Sequence, residues 1–200
     1  MKINQLYRLS PADINKGAEV LKDAFMNYPA FKNLFPEEQK RELKLKYLMT
    51  FFIKCGLLKG EVYAPSKDIE GIAIWYNSRQ LNLSFRDYLG GGLLNLLFGL
   101  KLASFIKLIK LGNAKKSNRN RLMNSEYYFL DVIGINPAFA RIGLGKLLIE
   151  AKMEQIKEQN MCCFLETGKT ENIEYYKRYG FYLLSEYDYN GLRSYCLLKK

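Results

Sequence analysis

Residues 136–148, NPAFARIGLGKLL, set two glycines, Gly143 and Gly145, on either side of one leucine, between a proline turn and an apolar helical pattern. A helix start exposes amides that have no intrahelical acceptor, together with the positive end of the helix dipole. A loop stripped of side chains there suits an anion such as a phosphate. The spacing is neither the Walker phosphate loop, G-x-x-x-x-G-K-[ST], nor the dinucleotide fingerprint G-x-G-x-x-G, because Leu148 stands where the third glycine belongs. Two glycines before a helix also serve simply to ease a tight loop, and two further features bear on the choice. Gly134 lies inside the strand pattern leading to the loop, where a bulge or a close backbone approach is the usual reason for a glycine. Asn172 and Tyr176 are four apart in a short helical pattern and share a face, which aims an amide and a phenol in one direction. Flanked by Tyr175 and Tyr179, Tyr176 also reads as an aromatic packed on a sheet, the reading that spacing alone favours.

Proton transfer has few carriers in this chain. It contains no histidine, which excludes imidazole as base or metal ligand and leaves carboxylate, tyrosine, cysteine, lysine or water. Glu166 ends one strand-like run, and Asp131 lies inside another. Asp131 alternates onto the strand face of Phe129 and Ile133, so its carboxyl must be paired, cleft-facing or protonated. A nearby arginine or lysine would pair it. Glu166 is the first candidate for general base; capping of the helix that follows ETGKTEN is its other reading. Cys55, Cys162, Cys163 and Cys196 show no zinc-type spacing, and the adjacent pair falls in an apolar run, so they read as reduced structural thiols rather than nucleophiles.

The elements that must position these residues follow from periodicity. Ser10, Pro11 and Asp13 supply the cap, first-turn proline and capping-box acid of a helix running to about Met26. Pro36, Glu37 and Glu38 announce another helix, carrying Leu43, Tyr47, Leu48 and Phe51 at helical spacing. GEVYAPSKDIEGIAIWYN reads as a hairpin. EYYFLDVIGI and MCCFLET read as buried strands joined by a helix with Leu144, Leu147, Leu148 and Ala151 on one face. ENIEYYKRYG is a short helix stopped by Gly180, and a terminal hairpin turns at Asn190-Gly191. The strand–helix–strand crossover predicts two parallel neighbouring strands.

The 200 residues, 48% apolar and 26% charged, suit one globular domain with a sizeable core. A formal net charge of +11 points to an anionic partner: nucleic acid, anionic lipid or a phosphate-bearing small molecule. The basic run NAKKSNRNR, Asn113 to Arg121, lacks interleaved aromatics and reads as a solvated linker, so nucleic acid is not an expected partner. In residues 89–112 the uncharged stretch ends at Lys101, short of the roughly 18–20 apolar residues that span a bilayer. Lys101, Ser104, Lys107 and Lys110 form a polar stripe on an otherwise apolar helix there, which suits an anionic membrane surface or the protein's own core; packing on the core or covering a pocket is the expected use, without membrane insertion. The opening MKINQLYRLSPAD has no apolar secretion segment, which with the reduced thiols gives a cytoplasmic expectation.

INPAFARIGLGKLL together with FLETGKTENIEYYKRYGF resembles the acetyl-CoA-binding motifs of the GNAT superfamily of N-acetyltransferases. The arrangement FLET…N…YY..YGF is most similar to the branch containing puromycin N-acetyltransferase. The resemblance covers residues 126–198 well, and the first half more loosely through AEVLKDAF, GEVYA and GIAIWY. It implies an α/β (α+β) fold, the GNAT-like acyl-CoA N-acyltransferase fold, in which two central parallel strands of a mixed sheet splay apart around acetyl-CoA. By the resemblance, backbone groups of Ile133 and Ile135 meet the pantetheine arm and thioester, with Gly134 at a bulge. Amides across Arg141, Ile142, Gly143, Leu144, Gly145 and Lys146 hold the pyrophosphate, Asn172 contacts the pantetheine, and Tyr176 protonates the departing thiolate. The family's phosphate loop usually opens with Gln or Arg. That position is Ala140 here, with Arg141 one place later, so a side-chain contact to the phosphates is lost or shifted while the glycine-dependent amides remain.

The expectation is one domain over residues 1–200, with acceptor-side elements mainly in 1–125 and the acetyl-CoA core in 126–200. It would transfer acetyl directly to a primary amine of a small molecule in a ternary complex, without a metal. The alternative is a CoA-binding or interaction module with the same fold and little catalysis; a third reading is a basic nucleic-acid or membrane-surface binder. Neither the amine nor the oligomeric state is legible in the residues.

Overall fold

The computed structural model describes residues 3–200; Met1 and Lys2, which begin the stretch read as non-secretory, lie outside it. In chain order the elements are β1 (Tyr7–Arg8), α1 (Ile14–Phe25), α2 (Pro29–Leu34), α3 (Glu38–Lys59), β2 (Glu61–Ala64), β3 (Gly71–Asn77), α4 (Phe85–Gly90), α5 (Leu93–Gly99) and α6 (Leu102–Leu122). They continue with β4 (Tyr127–Ile135), α7 (Leu144–Glu158), β5 (Cys162–Thr167), α8 (Glu171–Lys177), β6 (Tyr182–Tyr189) and β7 (Leu192–Lys199). The strands form one sheet in the order β1-β2-β3-β4-β5-β7-β6. Only the β4–β5 pair is parallel among the described strands, with α7 as the crossover that such a pair requires.

Side-chain alternation along the strands sorts the interior into two clusters. On one face Ala18, Leu21, Leu45, Met49 and Ile53 of α1 and α3 cover Ile72, Ile74, Phe129 and Phe164. On the other, Leu148, Ile149, Ile173 and Tyr176 of α7 and α8 cover Trp75, Tyr128, Leu130 and Leu165. Burying an aliphatic or phenylalanine side chain of this kind stabilises by roughly 1.5–3 kcal/mol. One charge is sealed into the second face. The Lys152 ammonium of α7 is held by Glu61 of β2 at 2.5 Å and by Gln155 at 2.8 Å, and lies 4.3 Å from the centre of the Tyr128 ring. Burial pushes its pKa down and Glu61 opposes the shift, so the pair ties α7 to the sheet.

Local signals read from the sequence form as expected. The Asp13 carboxylate accepts from the Ser10 amide at 2.8 Å and from its hydroxyl at 2.7 Å. Asn190 and Gly191 take φ of 52° and 79°, the left-handed pair that a two-residue hairpin turn needs.

Three expectations are corrected. The bulge in β4 is at Asp131, not Gly134: Val132 pairs with Ile74 and Leu130 with Trp75, leaving Asp131 without a partner position, while Gly134 pairs normally with Ile72. The extra residue also puts Ile133 on the face opposite Phe129. The run Asn113 to Arg121 is no linker but the second half of α6. Residues 89–112 are divided among α4, α5 and α6, broken by Gly92 with φ 90° and by extended Leu100.

Gly134 owes its place to close approach. A Cβ there would stand 2.9 Å from Cδ2 of Leu21, 3.0 Å from Cβ of Ala24 and 3.1 Å from Cε2 of Phe25, all on α1. Gly134→Ala is accordingly expected to destabilise the fold by about 1–3 kcal/mol, read as a lower denaturant midpoint at unchanged slope. An unaltered midpoint would show that α1 moves off the strand without cost.

Candidate active site

Pairing of β4 with β5 stops at Leu130 and Leu165. Beyond it β4 runs on to Ile135 against β3, and β5 to Thr167 against β7, so the strands part and leave a gap. The Asn136 amide donates to the Glu70 carbonyl at 2.8 Å on the β3 side. Backbone direction alternates along a strand, so Gly134 also faces β3, and the main-chain groups of Ile133 and Ile135 face the gap. Both residues are half-buried.

The start of α7 lies at one end of this gap. Its first backbone bond runs from the Leu147 amide to the Gly143 carbonyl at 3.0 Å, so the amides of Leu144, Gly145 and Lys146 have no carbonyl one turn back to reach. Arg141, Ile142 and Gly143 are exposed. Arg141 has φ 67° and Gly143 φ 92°, and only glycine adopts such angles without cost. Gly145 is needed for a different reason: a Cβ there would stand 2.9 Å from the Tyr175 hydroxyl. The two glycines thus serve one open turn and one contact between α7 and α8.

Across the gap, the end of β5 is knitted to α8 and to the first half of the chain. Asn172 donates through Nδ2 to the Thr167 hydroxyl at 2.8 Å, and the Gly168 amide donates to the Tyr28 hydroxyl at 2.6 Å. Tyr176 is buried, its ring edge-on to Phe181 at 5.7 Å and to Tyr175 at 5.4 Å. Burial pushes its phenol pKa well up, reinforced by Tyr175 and Tyr28, so it stays protonated. It is both a packing residue and a proton-bearing one.

On the α1 and α3 side of the sheet, Glu166 has a side chain only 3% exposed. Its Oε2 accepts from the Tyr187 hydroxyl at 3.2 Å and lies 3.8 Å from the Lys115 ammonium, while Oε1 is buried with no hydrogen-bond partner. Burial raises its pKa; Lys115, Arg119 and Tyr187 pull the other way. The capping role is not taken, since α8 begins from Thr170. Asp131, at the bulge, is solvent-reachable yet hemmed in by protein, which raises its pKa against the pull of Arg119 and Lys115. Because solvent reaches it, that push is weaker in effect than for a sealed carboxyl.

Several residues of this site escaped the sequence reading. Lys115 and Arg119, one helical turn apart on α6, turn toward the two carboxyls. The Arg119 guanidinium is buried 4.3 Å over the Phe129 ring, and neighbouring Asn118 donates to the Cys196 sulfur at 3.2 Å. Their four-residue spacing inside a basic run was the available signal. Tyr28, Thr167 and Tyr187 carried none. The four cysteines are free. Burial raises the Cys55 and Cys196 pKa values to about 12 and that of Cys163 beyond it, which makes these three poor nucleophiles.

A gap between two parting parallel strands, with free amides at one end and a buried carboxylate on one wall, can admit an extended anionic ligand and set a proton acceptor beside it. The chain belongs to the acetyltransferase (GNAT) family, whose profile matches residues 73–181, from β3 through the end of the α8 region. The protein is an N-acetyltransferase, and its family uses acetyl-CoA. Solved structures of similar fold include a Corynebacterium glutamicum protein described as histone acetyltransferase HPA2 and related acetyltransferase. It shares 21% identity at a TM-score of 0.69 over 98% of this chain and 94% of that one. Arylalkylamine N-acetyltransferase 2 from Aedes aegypti shares 16% identity at a TM-score of 0.62 over 97% of each chain.

Proposed function

We propose that this protein transfers the acetyl group of acetyl-CoA to a primary amine of a small molecule, by direct attack in a ternary complex. The observation that carries the reading is Glu166, a buried carboxylate with one oxygen unpartnered beside the point where β4 and β5 separate. An attacking amine must be neutral, and such a group is suited to take its proton, directly or through water. A CoA-binding module with little catalysis has no use for a carboxylate left short of a partner.

In this reading the main chain of Ile133 and Ile135 holds the pantetheine arm, with Asn172 opposite. Amides across Arg141, Ile142, Gly143, Leu144, Gly145 and Lys146 hold the pyrophosphate. Ala140 gives the phosphates no long side chain, and exposed Arg141 replaces that contact by charge. Tyr176 hydrogen-bonds the departing sulfur. A thiol is an easier acid than a phenol, and the Tyr176 phenol is raised further, so it stabilises the thiolate without surrendering its proton fully. Support for a small amine comes from the fold shared with a protein named for arylalkylamines. Residues 1–200 act as one domain whose first 125 residues build the acceptor side. Inward-turned Arg119 and Lys115 support a role for the basic run in this site, with no nucleic-acid partner in this reading. Free thiols accord with a cytoplasmic setting, and no helix among the described residues is long and apolar enough to cross a membrane.

The test is a panel of aromatic, aliphatic and polyamine acceptors incubated with acetyl-CoA and read as free thiol. Amine-dependent thiol release is expected; binding of acetyl-CoA with no amine consumed across the panel would defeat the proposal. With an acceptor in hand, Tyr176→Phe is expected to lower turnover by about a hundredfold, at the low end of general acid effects, with CoA affinity little changed. A wild-type rate under chemistry-limited conditions would reduce Tyr176 to a packing residue.

A further inference from the structure

Helices α5 and α6 carry apolar side chains outward as well as inward. Leu96 and Leu100 are buried, and Phe105 and Leu108 pack on the core. Yet Phe98 is 86% exposed, Leu102 66%, Leu94 55%, Ile109 46% and Ile106 42%. Leu102, Ile106 and Ile109 recur at helical spacing along one side of α6, and Leu94, Leu97 and Phe98 do the same on α5. Apolar strips of this kind on the outer sides of two consecutive helices mark a surface that meets something other than water.

The charge beside the strip selects the partner. Lys107 and Lys110 are exposed along its flank. Lys101, at the corner between the helices, has Glu37 at 3.9 Å and counts for less. From Tyr88 to Ser125 the chain carries seven basic residues and no Asp or Glu. A second copy of this chain would bring the same positive field against itself. A lipid surface containing phosphatidylserine offers apolar depth and negative charge together. We propose that the outer face of α5 and α6 docks the protein reversibly on an anionic membrane surface, with Phe98 and Leu102 entering the headgroup–acyl boundary and Lys107 and Lys110 facing lipid charge. The attachment is peripheral and weakens with salt, because it joins a modest apolar area to screened ion attraction.

The full chain is sedimented with vesicles of phosphatidylcholine alone and of phosphatidylcholine with phosphatidylserine, at low and high salt. Partition onto the phosphatidylserine vesicles at low salt is expected, with little on phosphatidylcholine alone. Lys107→Gln with Lys110→Gln should weaken it by roughly thirtyfold. Phe98→Ser with Leu102→Ser should weaken it by about tenfold or more, with the thermal unfolding midpoint unchanged because both side chains are exposed. Absence of phosphatidylserine-dependent partition, or partition indifferent to both pairs of substitutions, overturns the proposal. So does sedimentation equilibrium showing a dimer that Phe98→Ser with Leu102→Ser dissolves, which would give the face to a second copy.

Discussion

Gly143→Glu removes measurable acetyl-CoA binding while the protein stays folded. Gly143 is exposed with φ 92°, and a Cβ there would meet nothing within 4 Å, so a side chain disturbs no packing. Its left-handed backbone costs a non-glycine residue about 1–2 kcal/mol, which an exposed loop absorbs without unfolding. The carboxylate would stand where the pyrophosphate is proposed to lie. One unit charge against another at about 4 Å, at the effective dielectric of a protein surface, is worth about 4 kcal/mol, near a thousandfold in affinity. Calorimetry with acetyl-CoA and circular dichroism on the same sample check it. Gly143→Ala separates the causes, since it carries the backbone strain alone. Unchanged affinity in a folded Gly143→Glu protein would remove the phosphate from this turn.

Glu166→Gln is expected to lower turnover by about 10²- to 10⁴-fold, the range of a lost general base. The pH profile gives the sharper signature. Glu166 must be ionised to accept a proton, and burial raises its pKa above the ordinary carboxylate range. In the wild-type protein kcat/KM therefore climbs as pH rises through that raised value and then levels; in the variant this limb is missing. Stability moves the opposite way. The folded state holds the Glu166 proton more tightly than the unfolded chain does, so its contribution is present below the unfolded pKa and is lost as pH rises through the folded one. Glu166→Gln should thus unfold at a higher midpoint than wild type at neutral pH, with the difference vanishing in acid. A variant both inactive and less stable at neutral pH would mean that the carboxylate has a structural partner instead.

What could be read from the sequence was whatever a single segment encodes. The β4 and β5 runs, the α7 face and the Asn190-Gly191 turn each carry their own periodicity or backbone requirement, and all formed where expected. The bulge did not show, because a bulge is a mismatch between two strands and the β4 pattern alone offered Gly134 as the obvious irregularity. Lys115 and Arg119 were hidden because a polar run lacks the apolar period that announces a helix, although the run holds no Gly or Pro that would oppose one. The bond from Gly168 to Tyr28 joins residues 140 apart in the chain, and no local pattern records such a pair.

Glu166 lies with the side chains under α1, α3 and α6, and Tyr176 with those under α7 and α8. The two therefore stand on opposite sides of the opening between β4 and β5. In the proposed reaction the amine's proton would be taken on one side of this opening while the sulfur meets a proton donor on the other, so no wire of side chains through the protein has to connect the two events.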